Sequence, residues 1–192
     1  MHGKPENPFQ ARPDWHYNAC VENFLEYWRL GEYYVRAADA LIQSALDDTS
    51  LLDVHVLPLC FLYRHAFELL LKDLLWQSHY LAHGNKKLLM THNLSRLWRE
   101  LSANAQDALG SAFPLSTQDT ELLGQLIRRV EEHDPGSDAF RYPFDTKGKR
   151  SHPSLTHVNV RSLYESVRQA VDLLGNLREV VTLSYLAKGE KA

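Results

Sequence analysis

The chain has 192 residues, 44% of them hydrophobic, with four Trp, nine Tyr and seven Phe, enough to fill the core of one ordinary domain. Lys and Arg number 21 against 24 Asp and Glu, a formal net charge of −3. That balance excludes a chain-wide basic field of the kind that marks many nucleic-acid binders, while leaving room for a local basic patch. The only cysteines, Cys20 and Cys60, sit among apolar residues outside any C-x-x-C pattern, which points to buried free thiols in a reducing compartment. The opening MHGKPENPFQARPDW lacks the apolar core of a signal peptide, and no apolar run approaches the ~20 residues of a membrane helix. The expectation is a soluble cytoplasmic protein with no membrane partner.

Residues 1–14 are polar, carry Pro5, Pro8 and Pro13, and read as a loose tail. Val21, Phe24, Leu25, Trp28, Val35, Ala38, Ile42 and Leu46 then keep three-and-four spacing, which predicts one amphipathic helix over 15–47. Gly31 interrupts it and marks a kink or a close backbone contact. A second helix is expected over 53–83, with Pro58 as its start or a kink and Gly84 at its end. A third begins near THNL and shows Leu94, Leu97, Trp98 and Leu101 on one face. A fourth opens at STQD, where Ser116 and Asp119 have capping-box spacing, and is stopped by DPGS after His133. Residues 134–158 form a long loop rich in Pro, Gly, Lys and Arg, in which AFRYPF and SHPSLTHV suggest a short hairpin over DTKGK. The last helix is expected over 159–186, with 188–192 as a tail. The predicted fold is an all-α, up-and-down bundle of about five helices in a single domain over 15–187, with a long loop or short hairpin before the last helix.

The second helix carries an anomaly. In YRHAFELLLK, the charges of Arg64, Glu68 and Lys72 repeat every fourth residue, forming one polar stripe on a helix otherwise apolar nearly all round. Such a helix is ordinarily buried, and a buried charge needs a partner. Arg141 or Asp145 in FRYPFD could supply it and fix the loop to the helix; a ligand-binding role for the stripe is the alternative. The loop itself offers Arg141, Lys147, Lys149, Arg150 and His152 interleaved with Phe140, Tyr142 and Phe144. Cations alternating with aromatics can hold phosphates and stack bases, or can simply dock the loop. Docking is expected of Phe140 and Tyr142, and an electropositive surface of 147–152.

Taken in order, GEYYVRAADALIQSAL, LCFLYRHAFELLLKDLL, THNLSRLW and FRYPFD resemble the HEPN-domain superfamily. Ala66, Glu68 and Lys72 match its A-x-E-x-x-x-K helix signature. His92, Asn93, Leu94 and Leu97 match its H-[DN]-L-x-x-L step, and Arg141, Tyr142 and Pro143 match R-Y-P. The resemblance spans roughly residues 25–185. It implies a helical bundle that dimerises, and either of two activities. Many members are metal-independent ribonucleases of toxin–antitoxin and phage-defence systems that carry an R-x4-6-H motif. Others are non-catalytic modules that bind nucleotide, RNA or a partner protein, such as a nucleotidyltransferase or a defence effector.

Arg128 and His133 satisfy the R-x4-6-H spacing. A metal-free cleavage of RNA needs a proton carrier and a cation for the phosphate, roles that His and Arg suit. The bland reading of RRVEEH is a solvated helix end. Arg150 and His157 also fit the spacing, with Pro153 against a helical pair. His79 and His83 have metal-ligand spacing but no Glu follows His79, so no metal is expected, and no cofactor motif occurs. The expectation is a non-catalytic binding or scaffold module in a nucleic-acid-linked defence or stress system, with Arg64, Glu68, Lys72, Arg141, Tyr142, Lys147 and Arg150 as binding candidates. The alternative is an endoribonuclease using Arg128 and His133.

Overall fold

The sequence of helix α2 (Leu52–His83) leaves it almost no face for water, and the molecule is built around it. Leu59, Tyr63, Ala66, Phe67, Leu70, Leu71, Leu74 and Leu75 are all buried. The computed structural model describes residues 26–189 continuously, plus scattered positions before them. Apart from Pro8, Pro13, His16 and Ala19, residues 1–25, Cys20 among them, and residues 190–192 lie outside the described residues; the first helix, expected from residue 15, begins at Tyr27, after an extended Glu26 at its N-cap.

Four other helices surround α2 in an all-α fold: α1 (Tyr27–Asp47), α3 (Leu94–Leu109), α4 (Thr117–His133) and α5 (Val160–Gly189). Helix α2 packs directly on α1, α3 and α5, while α4 closes the bundle between α3 and α5. Asp48 accepts from the Ser50 amide and opens a single 3-10 turn, Thr49–Leu51, that reverses α1 into α2. The two helices are therefore antiparallel: the Tyr63 hydroxyl donates to Asp39 at 2.8 Å, and the Trp28 amide to Asp73 at 3.4 Å.

Residues 84–93 run back along α2, so that α3 starts beside Glu68 (through His92) and passes His83 (through Asn104). Helices α2 and α3 consequently point the same way, whereas α4 and α5 resume the alternation. Asn93 caps α3 by accepting from the Arg96 amide. At α4 the full capping box of Ser116 and Asp119 forms, and Gly84 ends α2 at φ +73°, a left-handed conformation that suits glycine.

Three local expectations change. Pro58 lies inside α2, which already begins at Leu52, so the proline does not start the helix. Helix α5 continues to Gly189, through two residues read as tail. The hairpin shrinks to a single antiparallel bridge, Phe144 to Arg150, and no strand forms among the described residues. Pro143 and Pro153 each lack an amide, so a longer ladder has no donors to use there. Asp145 instead folds 145–149 into a turn by accepting from the Lys147 and Lys149 amides. By length and hydropathy alone, the helical stretch Thr49–His83 could cross a bilayer, a point the sequence reading missed because Arg64, Glu68 and Lys72 interrupt the apolar run; 56% of the qualifying window is buried inside the bundle.

Gly31 marks a close contact. A Cβ there would lie 2.8 Å from Leu70 Cδ2 and 3.3 Å from the Ala66 carbonyl oxygen, and α1 is continuous through it. Because Leu70 is fully buried, it has nowhere to move. Gly31→Ala should therefore destabilise the protein by about 1 kcal/mol: overpacking costs about 1–3 kcal/mol, and improved helix propensity offsets up to about 1 kcal/mol. Urea denaturation at unchanged m value checks this, and an unchanged or raised midpoint would contradict it.

Candidate functional site

Arg64 is completely buried and is the hub of an ionic network. Its Nη1 donates to Glu68 Oε2 at 2.7 Å, its Nη2 to the His92 carbonyl at 2.5 Å, and its Nε to the Asp134 carbonyl at 3.2 Å. Asp134 Oδ2 lies 3.3 Å from Nε as a charge contact without hydrogen-bond geometry. Glu68 Oε1 accepts from Lys72 Nζ at 2.7 Å and lies 2.8 Å from His92 Nδ1. One guanidinium thus joins α2, the turn before α3 and the start of the loop after α4. A planar fork of five donors is the group that can do this, which an ammonium cannot.

The stripe is real, but its partner is not the expected one. Arg141 and Asp145 are exposed; Arg141 lies over the rings of Phe61 and Tyr142, and Asp145 serves its own turn. The loop is fastened at its first residue: Asp134 Oδ1 accepts from the amides of Asp138 and Ala139, each at 2.8 Å. Phe140 docks, stacked on His152. Tyr142 does not, being 56% exposed, because the short Asp145 turn carries 141–150 outward. Lys147, Lys149 and Arg150 are exposed on that turn.

A second buried acid completes the cluster. Glu131 accepts from the Leu94 amide at 2.7 Å and from Asn93 Nδ2 at 2.5 Å. Burial raises its pKa above the ordinary value, with Asp134 and Glu68 adding to the rise and the Leu94 hydrogen bond and Arg64 opposing it. Burial also pushes on Glu68, yet hydrogen bonds from Lys72 and Arg64 outweigh it and hold that carboxyl below its usual range.

The sequence-matched pair Arg128 and His133 separates. Five helical residues turn through about 500°, so their side chains leave α4 in different directions. Arg128 bonds Glu121 at 3.0 Å. His133 instead lines a cleft of about 330 Å³ between α2, α4, the N-terminus of α5 and the loop, together with Arg129 and His157. Tyr63, Phe140, Leu155, Leu163 and Val167 give this cleft its apolar wall, and Asn159 and Ser162 its polar edge at the start of α5. Cys60, whose thiol burial pushes up to about 12, also lines it and is no nucleophile in that state. His79 and His83 lie ring against ring at 4.5 Å with a 50° tilt and contact Asn85 and Asn104, respectively. No cluster of three metal-ligating side chains occurs among the described residues.

No family model, curated protein or solved structure matches the chain.

Sequence reasoning missed Asp134, Glu131 and Arg129. Glu131 had a legible signal: Leu123, Ile127 and Glu131 repeat every fourth residue, and all three are buried. Arg129 sits one turn before His133 on the same face, which the R-x4-H spacing conceals.

Glu68→Gln should lower stability at neutral pH by about 2–4 kcal/mol, because it leaves two buried-side cations short of a carboxylate. Since the folded pKa of Glu68 is depressed, its contribution is present above the unfolded value of 4.5 and is lost as pH falls through the lower folded value. The gap between wild type and variant in urea denaturation should therefore narrow on acidification below that range; a gap that stays constant would contradict the assignment.

Proposed function

We propose that this protein is an HEPN-like binding module whose ligand is a phosphate-bearing nucleotide or RNA, held in the cleft between α2, α4, α5 and the loop. The observation that carries the proposal is the convergence of Arg129, His133 and His157 on one cleft with an aromatic and aliphatic wall. Arg129 makes no ion pair among the described residues, which leaves its guanidinium available to an anion. The cleft also opens at the first turn of the 30-residue helix α5, whose positive dipole end favours negative charge. Phe140 and Tyr63, both buried, back the apolar wall against which a base would lie. The exposed cations Lys147, Lys149 and Arg150 lie further along the same loop, where a longer strand would extend. A homodimer, and a partner such as a nucleotidyltransferase or defence effector, belong to the same proposal through the resemblance.

The second reading is a metal-independent endoribonuclease. Two histidines on one cleft favour it, since proton transfer in both directions needs an acid and a base. Arg128 turned toward Glu121 weighs against the Arg128–His133 pair within one protomer.

Fluorescence anisotropy with short labelled RNA and with nucleotides tests the binding proposal. Arg129→Ala and His133→Ala should each weaken binding by about tenfold or more, whereas Arg128→Ala should leave it unchanged. Equal losses from Arg128→Ala and Arg129→Ala, or no binding by wild type, would overturn it. Incubating the same proteins with total RNA in EDTA separates the two readings: metal-free cleavage abolished by His133→Ala would establish the enzyme.

A further inference from the structure

At the other end of the bundle, α1 and α5 enclose a groove of about 420 Å³ lined by Trp28, Glu32, Arg178, Glu179 and Thr182. Among the described residues, three polar atoms there are buried with no hydrogen-bond partner: Trp28 Nε1, Arg178 Nε and Thr182 Oγ1. Trp28 is only 4% exposed, so its indole N–H is sealed from water as well. Two of the three atoms can only donate, and the hydroxyl can. A buried donor without an acceptor forfeits the hydrogen bond it would make to water, so three in one place favour an acceptor. Arg178 lies over the Trp28 ring, 4.7 Å from its centroid, and its guanidinium forms no ion pair within the described residues although Glu32 and Glu179 line the same groove.

We propose that this groove binds a free α-amino acid. The ligand carboxylate takes the donors of Trp28, Arg178 and Thr182, and its ammonium faces Glu32 and Glu179. The surrounding acids decide between oxyanions: Glu32 and Glu179 on the groove, with Asp73 behind Trp28 and also acting on Arg178, repel a phosphate dianion and attract a carboxylate that carries its own cation. Arg178 is half-buried and lies over the indole, and the proposal has it move aside when a ligand meets these donors. The site shares no lining residue with the α4–α5 cleft and does not depend on the function proposed for it.

Thermal shift and isothermal titration of the full chain with a panel of free α-amino acids test this. At least one amino acid should raise Tm and bind, while its decarboxylated amine, acetate and inorganic phosphate should bind at least about tenfold more weakly. Trp28→Phe keeps an aromatic ring and removes the N–H together with the five-membered part of the indole; Arg178→Gln removes the guanidinium from a half-buried position. Each should weaken the amino acid by about tenfold or more, with an unchanged circular dichroism spectrum, and His133→Ala should have no effect. Silence from the whole panel would overturn the proposal, as would binding that survives both groove variants or phosphate binding better than any amino acid.

Discussion

Everything distinctive in this structure depends on one buried guanidinium. Arg64 has no access to water and satisfies its donors with Glu68 on its own helix, the His92 carbonyl before α3 and Asp134 after α4. A charge placed in a core is tolerable only when it is paired and hydrogen-bonded on every side. The Arg64 position therefore dictates that two irregular segments, far apart in sequence, must return to the middle of α2. Apolar packing alone would leave those segments free to settle in many ways; directional bonds to a fixed hub leave one.

That constraint shapes the cleft. Asp134 is held against Arg64 by its carbonyl and one carboxylate oxygen, while the other oxygen gathers the amides of Asp138 and Ala139. The chain is thereby turned so that Phe140 packs inward and the loop continues toward α5. Arg64 itself reaches the cleft lining beside Tyr63, so the hub and the proposed binding surface share a wall. The ions that stabilise the fold are buried or nearly so and are paired with one another, Asp134 Oδ2 through charge alone. Those offered to a ligand, Arg129, His133 and His157, sit outside the hub, exposed. Helix α2 thus carries charges that serve architecture, and α4 and the loop carry the charges available for binding.

The helical architecture was legible in the sequence because its signals are local. Three-and-four spacing gave the helices, STQD gave a capping box that forms, and the glycine after His83 gave the end of α2. The stripe of Arg64, Glu68 and Lys72 was legible for the same reason, as was its need for a partner from the loop. The partner was not. Arg141 and Asp145 were attractive because their charges suit the stripe, but the choice depends on where the loop leaves α4, and Asp134 is simply the first loop residue to arrive. Tyr142 was misplaced by the same ignorance of direction, since a turn built on Asp145 carries 141–150 into solvent. A motif written as a spacing also hides geometry. Arg128 and His133 satisfy a pattern yet diverge around the helix, whereas Arg129, one residue on, shares the face of His133.

The most direct test of the hub is native-state hydrogen exchange in wild type and Arg64→Gln. The Leu94 amide reports the turn before α3, and the Asp138 and Ala139 amides report the loop after α4, each through its bond to a buried carboxylate of the cluster. If Arg64 joins these segments, all three amides are protected in wild type and lose protection together in the variant, while the amides in the middle of α1 and α5 keep theirs. Protection that survives the substitution, or that is lost in one segment and not the other, would contradict the claim that a single guanidinium holds them.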